Sequence, residues 1–437
     1  MTRRFNPGHP VWCVGAWLLL FSSLSASATT YHVDLAGADS ASGSETAPWR
    51  TLQHAVEQVQ PGDRILVRSG RYSGARIERS GRRRASITLR AAPEASVLLD
   101  RPSQEARHGS ILEVENFEAT VSHWTIEGFE IAGAARSGID IRAAHRITVR
   151  ANRVHDSGLT GIFTAFVDDV RIEGNESFTN GEHGIYVSNS GDRPLIRQNL
   201  VYDNAASGIH MNGDLGQGGD GVISRAKVDR NVLFGNGRAG GSAINMDGVD
   251  RAKVRNNLIF DQHASGISLY QIDGGICTSN TKVYNNTVVV ASDGRWAFNM
   301  PDPGCIGNRL INNILLTEHA FRGSIAIYES SAPDFVSHHN VVMDRFSVDA
   351  GDSVIPLNDW QALGYGRSSF ISSETELFVD ARNGDFELRA GSPARDAGKR
   401  LKSVRRDLLR RKRTFPWDVG AYESAAGGVS LVKTLSE

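Results

Sequence analysis

The sequence predicts an all-β chain, a right-handed parallel β-helix closed at its start by one short helix. Three observations predict it. A small residue followed by alternating apolar positions recurs seven times, an asparagine returns after each copy, and no helical periodicity runs through the copies.

The copies are Gly138-Ile139-Asp140-Ile141, Gly161-Ile162-Phe163-Thr164, Gly184-Ile185-Tyr186-Val187 and Gly208-Ile209-His210-Met211, then Ala243-Ile244-Asn245-Met246, Gly266-Ile267-Ser268-Leu269 and Ala297-Phe298-Asn299-Met300. They step by 23, 23, 24, 35, 23 and 31 residues. The asparagines are Asn152, Asn175, Asn199, Asn231, Asn257, Asn286, Asn313 and Asn340, and each precedes an apolar strand. Asn tolerates the left-handed bend, and its amide can bond the neighbouring copy, so a stacked ladder is expected. A period near 23 residues with two or three short strands is too short for a propeller blade. Stacked coils bury Ile, Val, Leu and Met inside and pair each strand with the next coil.

Thr51 to Val59 reads as an amphipathic helix stopped by Pro61-Gly62-Asp63, placed to cover the open end of the stack. Coils are then expected from Arg64-Ile65-Leu66-Val67, and the ladder fades after about residue 345. The division is therefore 1–28, 29–345 and 346–437: leader, β-helix with its cap, and C-terminal coils with an irregular tail. Arg3 and Arg4, the apolar run Val11 to Phe21 and Ala26-Ser27-Ala28 read as a signal peptide cleaved near Ala28, which implies a secreted or periplasmic protein. Asn175-Glu176-Ser177 matches a glycosylation acceptor, but it falls on the ladder and is discounted.

The chain has 437 residues, 22% charged and 8% aromatic, and a formal net charge of −1. Loss of Arg3 and Arg4 with the leader moves that charge to −3, which argues against a nucleic-acid partner. No further stretch is long and apolar enough to span a membrane. A monomer is expected. The leader takes Cys13 with it, and the remaining pair, Cys277 and Cys305, suggests a disulfide.

These features resemble the right-handed parallel β-helix proteins of the pectate-lyase-like superfamily. Pro48-Trp49-Arg50-Thr51-Leu52 through Pro61-Gly62-Asp63 to Gly70-Arg71-Tyr72 looks like its N-terminal cap and first coil. Ser392-Pro393-Ala394 through Asp396-Ala397-Gly398, then Asp418-Val419-Gly420-Ala421-Tyr422-Glu423, looks like the closing motif of exported bacterial members. The superfamily spans lyases, epimerases, hydrolases and non-enzymatic surface proteins, so the resemblance implies a fold and leaves the activity open. The Asp-Pro-His-Asp signature of mannuronan epimerases is absent. His183-Gly184 is similar to a polygalacturonase motif whose paired aspartates are missing. No catalytic residue is carried over.

Strand alternation nominates the outer face instead. If the Ile after each small residue points inward, one outward column is Asp140, Phe163, Tyr186, His210, Asn245, Ser268 and Asn299. A second is Arg142, Ala165, Ser188, Asn212, Asp247, Tyr270 and Pro301. The middle coils gather Tyr186, His210, Asn212, Asn245, Asp247 and Tyr270, which suit a sugar substrate better than an ordinary solvated face does. The two long steps add Gly213–Gly221 and Asp273–Cys277 beside them.

A lyase or epimerase acting on an acidic, uronic-acid-containing polysaccharide must neutralise the C6 carboxylate and remove the C5 proton. His210 is the candidate base, with Tyr270 or Tyr186 as acid, and Asp247 to orient His210 or hold a metal. Arg295 is the candidate for the carboxylate, with Tyr186, Asn212 and Asn245 as substrate ligands. Asp214 and Asp220, with Asp247, Asp250 and Asp273, could supply oxygens to calcium, although Gly-Asp turn chemistry is the slightly favoured reading. A glycan-binding surface protein is the main rival. A glycoside hydrolase comes third, since Asp247 lacks an outward carboxylate partner. The basic run from Lys399 to Arg413 could attract an anionic polysaccharide, but the favoured reading is a solvated face packed on the C-terminal coil through Leu408-Leu409.

Overall fold

The computed structural model describes Met1 and residues 28–424. The signal-peptide segment and Cys13 lie outside the described residues. Within them the chain winds into a parallel solenoid of three long sheets with 12, 11 and 12 strands.

Each middle coil follows one plan. A strand of the 11-stranded sheet, here the site sheet, comes first, as in Ile185–Ser188 and Ile209–Asn212. A turn leads to a strand of the first 12-stranded sheet, such as Lys227–Asp229. A sharp bend at the ladder asparagine then gives a strand of the third sheet, such as Val232–Phe234. The Ile after each small residue is fully buried, from Ile139 through Ile162, Ile185, Ile209 and Ile244 to Ile267. Burying one such side chain contributes about 1.5–3 kcal/mol, and every coil repeats it.

The asparagines form a continuous ladder. Asn231 shows the pattern: its Nδ2 donates to Asn257 Oδ1 at 3.0 Å and to the Ile196 carbonyl at 3.1 Å, while its Oδ1 accepts from Asn199 Nδ2 at 2.9 Å. The series runs from Asn152 to Asn340, whose backbone N–H donates to Ser369 Oγ. The left-handed residue is not the asparagine, as the sequence suggested, but the one before it. Ala151, Gly174, Gln198, Arg230, Asn256, Asn285, Asn312 and His339 all have φ between 52° and 62°. The ladder asparagines thus stay free to aim their amides along the stack. A second, shorter ladder, Asn180–Asn204–Asn236, runs at the following turn.

The ends differ from expectation in two ways. The first sheet starts one strand earlier, at Thr30–Val33, which pairs in register with Arg64–Val67. The cap helix Leu52–Gln58 is inserted between them, with Thr51 Oγ1 accepting from the His54 N–H and with Leu52, Ala55 and Val56 buried. At the other end, coils run within the C-terminal segment to Phe370–Ile371. The rest of the C-terminal segment does not extend the stack. It folds back across the outside of the third sheet, setting Leu377, Phe386, Leu408, Val419 and Tyr422 on Val232, Leu258, Ile314 and Val341. The basic run is partly an anchor: the Arg413 guanidinium is buried, bonded to Glu423 Oε2 at 3.0 Å and to Asn256 Oδ1 at 3.0 Å.

Candidate functional site

Strand register stacks the two outward columns of the site sheet as the alternation requires. Asp140, Phe163, Tyr186, His210, Asn245, Ser268 and Asn299 are successive partners, and so are Ser188, Asn212, Asp247 and Tyr270. Pro301 falls just past the last strand of the series, Phe298–Met300.

His210 lies at the centre of the face yet is only 8% exposed. The His183 ring stacks on it at 4.6 Å and 11°, and Tyr186 meets it edge-on at 4.6 Å. Burial pushes the His210 imidazole well below the usual histidine value, and a charged His183 would push it further. Burial also lowers His183, to about 4. Both rings are therefore neutral near pH 7. His183 precedes its strand, Ile185–Ser188, and so falls outside the alternation rule.

Asn245 joins His210 to the next coil. Its Nδ2 lies 2.9 Å from His210 Nδ1 and 2.7 Å from Tyr270 Oη. Burial, with Asp247 close by, raises the Tyr270 phenol above its ordinary value, and burial raises Tyr186 too. These hydroxyls hold their protons at neutral pH.

Asp247 does something other than orient His210. Its carboxylate accepts the backbone N–H groups of Ile272, Asp273 and Gly274 at 2.8–3.1 Å, and so pins the inserted loop. Asn245, not Asp247, touches His210. Asn212 links the two insertions: Nδ2 donates to Asp273 Oδ2 at 3.2 Å, and Oδ1 accepts the Asp214 N–H at 3.0 Å. Cys277 and Cys305 are bridged, with Cα atoms 4.8 Å apart, and hold the same loop to the next coil. Leu215 and Ile272 are exposed on the two loops and give the face an apolar lip.

The proposed calcium ligands are not gathered. Asp220 Oδ1 accepts the Val222 N–H within its own turn, and no cluster of three or more His, Cys, Asp or Glu placed for a metal occurs among the described residues. Arg295 is exposed but sits three coils from His210, about 14 Å at one strand spacing per coil. Three coils from His210 in the other direction, Arg142 is held by Asp140 at 2.8 and 3.0 Å and lies over the Phe163 ring. The face can bind a sugar chain through rings and amides, and can exchange a proton at His210 and Tyr270.

Comparison with known proteins agrees with this architecture. Residues 31–240 match the family model described as the Pel9A-like, right-handed beta-helix region. The protein is a right-handed parallel β-helix, the fold that this family model describes, and the matched stretch is just under half of the chain. It is 35% identical over 96 residues to pectate lyase PEL9 of Emericella nidulans, a match spanning 21% of this chain and 22% of that relative. Among solved structures, pectate lyase Pel9A superposes with a TM-score of 0.60 at 16% identity, covering 91% of this chain and 97% of the other. A glycoside hydrolase superposes with a TM-score of 0.53 at 11% identity, over 79% and 96%. At these identities the likeness is one of fold. No helix among the described residues is long and apolar enough to cross a membrane.

Proposed function

We propose that the protein is exported, to the periplasm or beyond the cell, and acts there as a polysaccharide lyase or epimerase on a uronic-acid-containing chain. The observation that carries the reading is the connected group His210–Asn245–Tyr270 on the outer face of the site sheet: a neutral imidazole and a protonated phenol, bridged by one amide.

In this reading His210 Nε2 removes the C5 proton. The C–H electron pair forms the C4–C5 double bond as the C4–O bond breaks, and the leaving oxygen takes a proton from Tyr270. An epimerase would make the same abstraction and return a proton to the opposite face. With Asn245 Nδ2 against His210 Nδ1, the imidazole proton sits on Nε2. Rotating the amide by half a turn places Oδ1 against Nδ1–H and frees Nε2 as the base. Tyr186 and Asn212, as neutral donors, would meet the substrate carboxylate. Arg295 would serve a sugar several units along the chain.

One observation favours a second reading, glycan binding without catalysis: in its present orientation Asn245 makes His210 a donor rather than a base. Incubation with polygalacturonate, alginate and glycosaminoglycans, with and without calcium, separates the two. The expected result is ultraviolet absorbance of an unsaturated product, or a changed uronate ratio. The His210→Ala variant, folding intact, should lose about 10²–10⁴-fold in rate, the usual worth of a general base. Unchanged activity in that variant sinks the assignment. Binding alone selects the second reading, and new reducing ends without absorbance indicate hydrolysis.

A further inference from the structure

The first sheet sorts its outward charges into two columns of opposite character. One runs Glu127, Arg150, Glu173, Arg197, Asp229 and Arg255, with opposite signs facing each other in register. It neutralises itself: Arg150 meets Glu127 at 2.8 Å, Arg197 meets Glu173 at 3.0 Å and Arg255 meets Asp229 at 3.1 Å. The neighbouring column runs Lys227, Lys253, Lys282 and Arg309, also directly opposite one another. None of these four pairs with a carboxylate among the described residues, although Arg251 and Arg255 close by hold Asp250 and Asp229.

Like charges directly opposite one another destabilise a sheet. The fold does not require them here, because earlier coils fill the same column with Thr88, Thr125, Thr148 and Leu195, and with Arg171, which Glu173 holds at 2.7 Å. The Lys253 ammonium shows the cost: burial, then Lys282, Arg255 and Lys227, hold it below the usual lysine value. A groove of about 850 Å³ is lined by Lys227, Lys253 and Lys282 together with Arg225, and by Arg193, which Asp169 holds at 2.8 Å. On the far side of the alternating column, Lys402, Arg405 and Arg406 from the C-terminal run line a second hollow against Arg255.

We propose that this column is a second carbohydrate-binding surface, on a different face from His210, which holds a linear anionic polysaccharide along the axis of the solenoid. Its cations recur once per coil, about 4.8 Å apart in a straight row. One sugar unit of an extended chain is about as long, so acidic groups repeat along such a chain at a spacing commensurate with the row of cations. A nucleic-acid duplex offers two helical rows of phosphate and a bilayer offers a plane. Neither follows a straight row one side chain wide. The surface would keep a polymer beside the enzyme between encounters at the site sheet, and it stands whether or not His210 performs the proposed chemistry.

The test is a binding measurement on the full chain carrying His210→Ala, which keeps the polymer intact. In that background, Lys227→Gln, Lys253→Gln and Lys282→Gln are combined, and the corresponding Lys→Arg triple is the control. Polygalacturonate and alginate are the anionic probes, with dextran as the neutral one. The expected result is salt-sensitive binding of the anionic polymers alone, weakened roughly tenfold or more by the Gln triple and retained by the Arg triple. The Gln triple should also melt no lower than its parent, since it removes only repulsion. Equal binding by the Gln triple overturns the proposal. So does absence of binding to both anionic polymers, or tighter binding to single-stranded DNA or to phosphatidylserine vesicles. Loss of turnover in His210→Ala with this binding intact would leave the two proposals separately judged.

Discussion

His183 and His210 share one problem: each is a base buried against the other. A histidine whose folded value is depressed adds stability above its unfolded value of about 6.5, and that stability drains as pH falls through the folded value. For His183, lowered to about 4, the window is pH 6.5 down to 4. At full shift the loss is on the order of 3 kcal/mol. The thermal midpoint should therefore fall across that window, and His183→Phe, which keeps a ring over His210, should flatten part of the fall. His338, also lowered to about 4, supplies a residual slope. For the reaction the sign is the same: the base form of His210 survives acidification, so the acid limb of a rate profile should lie below pH 6.5. The alternation of the repeats made the outward columns readable down to Tyr186, His210, Asn245 and Tyr270. It could not reveal that Asp247 is spent on three backbone N–H groups, because a loop's conformation leaves no period in the sequence.

At the scale of the element, the coil bend combines strain with its remedy. A non-glycine residue in the left-handed region costs about 1–2 kcal/mol, and seven of the eight residues before a ladder asparagine are of that kind. The fully buried amide ladder offsets that cost by satisfying backbone groups the bend would orphan. Asn231→Ala should thus cost about 3 kcal/mol or more, since it leaves the Asn199 amide, Asn257 Oδ1 and the Ile196 carbonyl short of a partner. A lower denaturant midpoint by circular dichroism would register it. Asn152→Ala, nearer the end of the ladder, should cost less. The ladder was legible as a spacing, while the strained neighbour was not, because residues as unlike as Ala151, Gln198 and His339 fill that place.

For the whole molecule, net charge is a poor guide to partners. A chain with a formal charge of −1 argues against a polyanion only if its charges are mixed, and here one face carries an unpaired row. The columns of the first sheet could have been read by the alternation applied to the site sheet, since Lys227, Lys253 and Lys282 each precede a buried Val. The course of the C-terminal segment could not. Its apolar residues look the same whether they continue a stack or cover it.

That covering has a consequence for how the solenoid comes apart. The segment clasps only the later half, from Val232 to Val341, with Phe386 capping a row of stacked rings at Phe260. Coils before Leu200 are held by their immediate neighbours and the cap helix alone. Opening should begin there and spread toward the clasp, so the molecule should fray from one side rather than melt at once. Amide hydrogen exchange is expected to show it as a gradient, fastest around Val114 and Val154 and slowest around Val283 and Leu310. Removal of residues 372–424 should erase the gradient. Uniform protection along the intact chain would mean that the stack alone sets its cooperativity.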